Sequence, residues 1–167
     1  MSDSLIINGL KIRKAQKSDV PLILHFIKEL AEYERLLHEV TATVELLEAN
    51  LFGEKSFAEV VIASFEGKDV GFALYFHNFS TFVGKSGIYL EDLYVSHEYR
   101  GKGFGKTLLK YLANLAIERD CGRLEWQVLD WNEPSIKFYK NLGAKPMDEW
   151  TVFRVSGDDL VNLANNE

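Results

Sequence analysis

The first half of the chain alternates between two hydrophobic periods. Residues 10–13 read as a short strand. A helix is predicted to open at Ser18, with Asp19 in its first turn and Pro21 near its start. Ile23, Ile27, Leu30 and Ala31 then recur at helical spacing and form one apolar stripe. Acids crowd the end of that helix (Glu29, Glu32, Glu34, Glu39) as a solvated face. Thr43 caps a second helix through Leu46, Leu47 and Leu51, ended by Gly53. The pattern next becomes extended. Residues 57–65 and 70–79 read as strands joined by a hairpin turn at 66–69. A loop at 80–87 carries two glycines, and residues 88–95 form a further strand. These short connections make the three strands antiparallel.

The second half returns to the helical period. Leu108, Leu112, Leu115, Ala116 and Arg119 share one side of a helix running to about residue 120, and Leu109 and Ala113 widen it. Gly122 ends it. A strand follows at 124–129. Asn132 caps the next helix, where Ile136, Tyr139 and Leu142 share a face and Gly143 stops the turn. A last strand is expected at 151–155 and a small helix at 158–165. The crossover between strands 88–95 and 124–129 exceeds a dozen residues, so that pair is parallel. Where it splays, a cleft opens at the carboxyl ends of the two strands. The expected architecture is one α/β domain over residues 1–167, with a mixed, mostly antiparallel sheet, a central splayed parallel pair and flanking helices.

Candidate chemistry concentrates at the start of the long helix. Arg100-Gly101-Lys102-Gly103-Phe104-Gly105-Lys106 lies between strand and helix. The first N–H groups of a helix lack internal partners, and the helix dipole favours an anion there. Glycines let backbone come close to such an anion. A Walker loop needs glycine where Arg100 stands, and a dinucleotide fingerprint needs glycine where Lys106 stands, so neither pattern is met. The motif that remains is R-G-x-G-x-G.

Composition narrows the field. The chain has 167 residues and a formal net charge of −6, so no basic face for nucleic acid is implied. The single cysteine, Cys121, rules out an internal disulfide and suits a reducing cytosol, where it reads as a packing residue. The N-terminal residues show neither a secretory signal nor a membrane span. The four histidines have no metal-ligand spacing, so no metal is expected.

Residues 89–95 (Tyr-Leu-Glu-Asp-Leu-Tyr-Val), 99–105 (Tyr-Arg-Gly-Lys-Gly-Phe-Gly) and 130–135 (Asp-Trp-Asn-Glu-Pro-Ser), with Phe138-Tyr139, together resemble the GNAT (Gcn5-related) N-acetyltransferase superfamily. Within it they are similar to the spermidine/spermine and thialysine acetyltransferase group. Residues 30–34 (Leu-Ala-Glu-Tyr-Glu) support the likeness.

The resemblance implies acetyl-CoA as co-substrate and a homodimer. Main-chain groups of Leu93, Tyr94 and Val95 would hold the pantetheine arm and thioester. Gly101, Lys102, Gly103, Phe104, Gly105 and Lys106 would bind the pyrophosphate, with Arg100 beside them. Asn132, Ser135 and Tyr139 would contact the coenzyme, and Tyr139 would be the general acid. Glu91 would bind substrate and take the amine proton, through water if necessary. Tyr33 and Glu34 would line the amine pocket.

The chemistry agrees with these roles. A lysine-like amine is neutral in only about one molecule in a few thousand at pH 7, and only the neutral form attacks a thioester. A carboxylate can hold the ammonium and relay its proton, and a tyrosine hydroxyl can protonate the leaving thiolate. Glu91 and Asp92 point to opposite faces of a regular strand, so one of the two faces the cleft squarely. Glu125 and Trp126 alternate likewise. Polyamine-specific members carry an acid and a tryptophan ahead of the position of Tyr89, where this chain has Ser80-Thr81-Phe82. The segment before Trp150 is also shorter. Both departures favour a small amine over spermine. Two other readings stand beside this one: a protein or peptide N-acetyltransferase of the same fold, and a non-catalytic acyl-CoA-binding module.

Overall fold

Leu10 and Ile12 alternate with Lys11 and Arg13, and only the two apolar residues are fully withdrawn from water. That one-sided strand belongs to a computed structural model that describes residues 4–7 and 9–165. The chain divides into two compact units, Met1–Gln127 and Val128–Glu167.

The first unit holds a six-stranded sheet in sequential order: β1 (Ser4–Ile7), β2 (Leu10–Lys14), β3 (Glu59–Phe65), β4 (Lys68–Ser80), β5 (Lys85–Val95) and β6 (Leu124–Trp126). Every neighbouring pair is antiparallel except β5 and β6, which are parallel as the crossover requires. β1 precedes the first strand expected from the sequence. Glu66 and Gly67 both adopt positive φ at the β3–β4 turn, the geometry that a two-residue hairpin favours.

Helix α1 (Val20–Tyr33) starts two residues later than Ser18 suggested, after a short 3₁₀ turn at Lys17–Asp19. The Gln16 amide donates to the Asp19 carboxylate at 2.7 Å, and Arg13 donates to both of its oxygens at 2.6 and 2.9 Å. The Arg13 hydrogen bonds hold the Asp19 carboxyl below its ordinary value and lock the helix entry to β2. Helix α2 (Val44–Phe52) starts and stops as expected, with the Thr43 hydroxyl accepting from the Leu46 amide at 3.3 Å.

Helices α1 and α2 cover one face of the sheet. Ile23 and Phe26 from α1 and Leu51 from α2 pack on Ile62, Phe72 and Tyr94. Phe26 stacks on Phe72 with ring centroids 5.7 Å apart. Each such burial contributes about 1.5–3 kcal/mol. Helix α3 (Phe104–Glu118) buries Leu108, Leu109 and Leu112. It lies on the opposite face, where Arg119 just past its end stands over the Tyr75 ring. The end of α3 departs from expectation. Asp120, not Gly122, takes the left-handed conformation at φ 52°. The Cys121 amide then bonds back to the Ala116 carbonyl at 2.8 Å, as in a Schellman cap.

β6 is shorter than the strand expected over 124–129. Only Leu124, Glu125 and Trp126 pair with β5, opposite Ile88, Tyr89 and Leu90. The second unit contains α4 (Glu133–Asn141) and α5 (Gly157–Asn165). The strand expected at 151–155 is irregular. Val152 and Phe153 there are exposed, and β-prone residues make a strand only when a ladder partner completes their hydrogen bonds.

Candidate active site

The site begins with a bulge. In the β4–β5 ladder Leu74 pairs with Asp92 and Tyr75 with Leu90, so Glu91 is the extra residue. A regular strand would put Leu90, Asp92 and Tyr94 on one face. The bulge instead sends Leu90 to the α3 side, level with Tyr75, and Asp92 to the α1 side, level with Leu74. Glu91 is left exposed at the turn of the strand. The bulge follows the last β5–β6 pair directly, and residues 91–95 continue beyond β6 with only β4 beside them. This is the splay expected from the sequence. It presents the main chain of Leu93, Tyr94 and Val95 along an open edge, where an extended ligand arm fits as an added strand. The Val95 carbonyl is partly engaged, accepting from Arg100 Nε at 2.9 Å.

Three carboxylates converge here. Glu34 caps the end of α1. Burial raises its carboxyl above the ordinary value. Asp92 is pushed up to about 7, first by burial and then by the negative charges of Glu91 and Glu34. Asp92 was not singled out as a site residue from the sequence. A signal for it was present: the apolar positions run Ile88, Leu90 and then Leu93, Val95, a slip of one that marks a bulge.

The glycine-rich turn follows a 3₁₀ turn at His97–Tyr99. Gly101 and Gly103 take φ of 77° and 82°, and Gly103 is the N-cap of α3. The Gly103 carbonyl accepts from the Thr107 amide at 3.0 Å and its hydroxyl at 3.2 Å. A Cβ built on Gly101, Gly103 or Gly105 would meet nothing within 4 Å. The turn therefore faces open space with helix-end N–H groups behind it, which fits a phosphate chain. Phe104 is buried as the anchor, 4.9 Å from the Phe65 ring. Lys102 rests its ammonium 5.3 Å from both Phe65 and Tyr99, while Lys106 is exposed.

The first unit thus brings together Tyr33, Glu34, Glu91, the Leu93–Tyr94–Val95 edge and the turn from Arg100 to Lys106. Asn132, Ser135 and Tyr139 lie in the second unit. There the Asn132 side chain accepts from the Ser135 amide at 3.3 Å and caps α4, as its residue type suggested. Tyr139 lies on that helix with its ring 5.3 Å from Phe138. Among the described residues, no cluster of His, Cys, Asp and Glu has the makings of a metal site.

A sequence profile described as the acetyltransferase (GNAT) family matches residues 24–144. The chain belongs to that family. GNAT enzymes use acetyl-CoA as co-substrate, and this chain is accordingly an N-acetyltransferase. It is 42% identical over 164 residues to thialysine N-epsilon-acetyltransferase of Bos taurus, with 92% of this chain and 96% of that one covered. It is 33% identical to an L-ornithine N5-acetyltransferase of Arabidopsis thaliana, covering 90% of this chain and 86% of that one. Among solved structures, an integron cassette protein from the mobile metagenome of V. cholerae superposes with a TM-score of 0.80 at 31% identity, covering 95% and 99% of the two chains. This GNAT sheet is mixed and mostly antiparallel with one parallel pair, as the sequence led us to expect, but that pair lies at the edge of the sheet rather than at its centre.

Proposed function

We propose that the protein transfers the acetyl group of acetyl-CoA to the primary amine of a small cationic molecule: a thialysine-like amino acid, a diamine or a polyamine, with the short acceptors preferred. The observation that carries this reading is the grouping of Glu34, Glu91 and Asp92 at the β5 splay, immediately before a turn shaped for phosphate. The names of the bovine and plant relatives point to the same class of acceptor.

Acetyl-CoA supplies the acetyl group as a thioester. The turn from Gly101 to Lys106 would hold the phosphates, and the main chain of Leu93, Tyr94 and Val95 would align the arm. Asn132 and Ser135 would contact the coenzyme, as the resemblance implies. The carboxylates attract the ammonium, and Glu91, exposed at the bulge, relays its proton to water. The free amine then forms the N–C bond as the C–S bond breaks. Tyr139 would give its proton to the departing thiolate, and the new amide nitrogen would shed its second proton to water, from which Tyr139 is reprotonated. Asp92 fits beside Glu91 in this scheme. A carboxyl poised near 7 ionises readily when a cation arrives, because the cation offsets the like charges around it.

Residues 1–167 act as one functional domain in this reading, as a homodimer in the cytoplasm. The resemblance to the acetyltransferase group supports the dimer, and single-cysteine usage suits a reducing compartment. Neither nucleic acid nor a membrane is a partner. Among the described residues, no helix is long and apolar enough to cross a membrane.

The test is a panel of amines with acetyl-CoA at fixed ionic strength, read by thiol release. Thialysine, ornithine or a short diamine should show the highest kcat/KM. In the loop Ser80-Thr81-Phe82 no acid answers the far ammonium of a long polyamine, which would be desolvated without a partner. Spermine ahead by tenfold or more overturns the preference for short amines. Acetylation of peptides alone favours the protein acetyltransferase reading. Coenzyme binding without turnover of any amine favours the binding module.

A further inference from the structure

Arg100 is held in an unusual way for an exposed arginine. Its guanidinium carbon lies 4.7 Å from the centroid of the Tyr33 ring and 5.4 Å from that of Tyr94. Its Nε donates to the Val95 carbonyl at 2.9 Å. Tyr94 is buried in the core beneath α1, with its ring 6.0 Å from Phe26. Its hydroxyl lies between Glu29 and Arg100: burial and then the Glu29 charge raise it, and Arg100 pulls it the other way. One oxygen of Glu29 is buried there without a hydrogen bond, 3.5 Å from His25 Nε2. A side chain at the start of the glycine-rich turn is thus fixed by two aromatic rings and one carbonyl, backed by a half-buried carboxylate.

An arginine free in water loses rotamer entropy when it binds an anion. An arginine already stacked and tethered has lost most of it. Five N–H donors fan out from a guanidinium; the Nε donor is committed to Val95 and a further one turns to the Tyr94 hydroxyl, so the rest remain for an anion. The terminal nitrogens therefore approach a phosphate from a prepared position. Tyr33 adjoins Glu34, so the last two residues of this helical segment divide the work: Glu34 joins the carboxylates and Tyr33 turns to the arginine.

We infer that Tyr33 is a positioning residue for Arg100, and that its ring sets affinity for the phosphate-bearing part of the coenzyme rather than for the amine. The inference rests on the acetyl-CoA reading above and reassigns Tyr33, which the resemblance places in the amine pocket. Two acyl donors separate the effects: acetyl-CoA, and S-acetylpantetheine, which carries the thioester arm and no phosphate.

Tyr33→Leu should raise KM for acetyl-CoA by about tenfold, the scale of a lost cation–π contact with its preorganisation. At saturating acetyl-CoA, kcat and the amine KM should change by less than about threefold, and kcat/KM for S-acetylpantetheine should hold. Tyr33→Phe keeps the ring and should hold the acetyl-CoA KM within about threefold of wild type. In an Arg100→Ala background Tyr33→Leu should add no further loss, because the stacking partner is gone. Tyr33→Met provides a second truncation if Tyr33→Leu folds poorly. A raised amine KM with acetyl-CoA KM unchanged overturns the inference, as does equal loss with both donors. Wild-type enzyme that does not prefer acetyl-CoA over S-acetylpantetheine overturns the phosphate reading of the turn itself.

Discussion

Asp92 and Glu91 are neighbours in the chain, and between Leu90 and Asp92 the strand β5 changes the face it buries. Leu90 is level with Tyr75 and Asp92 with Leu74, leaving Glu91 exposed between them. One bulge thus makes one carboxylate available to solvent and withdraws the other.

That withdrawal gives a pH prediction. The folded Asp92 carboxyl lies near 7, above its ordinary 3.8. The proton is therefore bound more tightly in the folded state, and the stability it contributes is present below the unfolded value and lost as pH rises through 7. Asp92→Asn removes this titration. Relative to wild type, the variant should gain about 1–2 kcal/mol on going from pH 4 to pH 8, allowing for partial access of water. Denaturant unfolding at the two pH values measures it. The same variant should lose or displace any limb near pH 7 in the kcat/KM profile. Parallel stability curves would show that Asp92 is ionised throughout.

Gly103 tests the turn. Its φ of 82° is strained for any side chain, although a Cβ there meets nothing. Gly103→Val should therefore cost about 1–2 kcal/mol of stability and leave the protein folded. Its branched side chain would occupy the space where an anion approaches, so coenzyme A affinity should fall by more than tenfold. Calorimetric titration with coenzyme A, alongside a melting curve, separates the two effects. Unfolding at room temperature would make the glycine structural alone.

Tyr139→Phe removes a hydroxyl and keeps the ring. Loss of the general acid should lower kcat by about ten- to a thousandfold with little change in coenzyme affinity. Undiminished turnover would reduce Tyr139 to packing on α4.

Glu59 and Arg119 are joined by two hydrogen bonds, one of them at 2.8 Å, and Tyr75 donates to Glu59 at 3.4 Å. The Arg119 hydrogen bond lowers the Glu59 carboxyl below its ordinary 4.5. The pair then stabilises the fold above that value and is lost as pH falls through the folded one. Glu59→Gln should cost about 1–2 kcal/mol at pH 7, a partly exposed pair lying between surface and buried cases. The deficit should shrink below about pH 4. Melting temperatures across that range check it, and a constant deficit would exclude the charge as the cause.

Much of the fold was legible in the sequence because caps and turns are local. Thr43 and Asn132 each specify a boundary with their own chemistry, and each boundary is where they put it, while the β3–β4 turn expected over 66–69 tightens to Glu66-Gly67 with β4 starting at Lys68. The glycine-rich turn and the parallel crossover were legible for the same reason. Elements decided by distant partners were not. β6 ends at Trp126 because its ladder with β5 ends there, although its apolar run continues. Residues 151–155 have a β-prone composition and no ladder. Strict alternation through Glu91 hides Asp92, which the bulge turns to the other face. The stacking of Tyr33 on Arg100 joins residues far apart in sequence, which no local pattern encodes.

The sequential strand order has a kinetic consequence. From β1 to β5 each strand meets its chain neighbour in an antiparallel pair, with the α1–α2 excursion as the only long interruption. The β3–β4–β5 meander can therefore zip from its own hairpins. The β5–β6 pair cannot, since it must wait for the whole of α3 to cross over, and long loops close before their contacts reward them. The strand splay is consequently assembled after the β3–β4–β5 meander. In slow refolding, a chain with most of its sheet formed should still be unable to grip coenzyme A, and recovery of ligand binding should lag recovery of β structure.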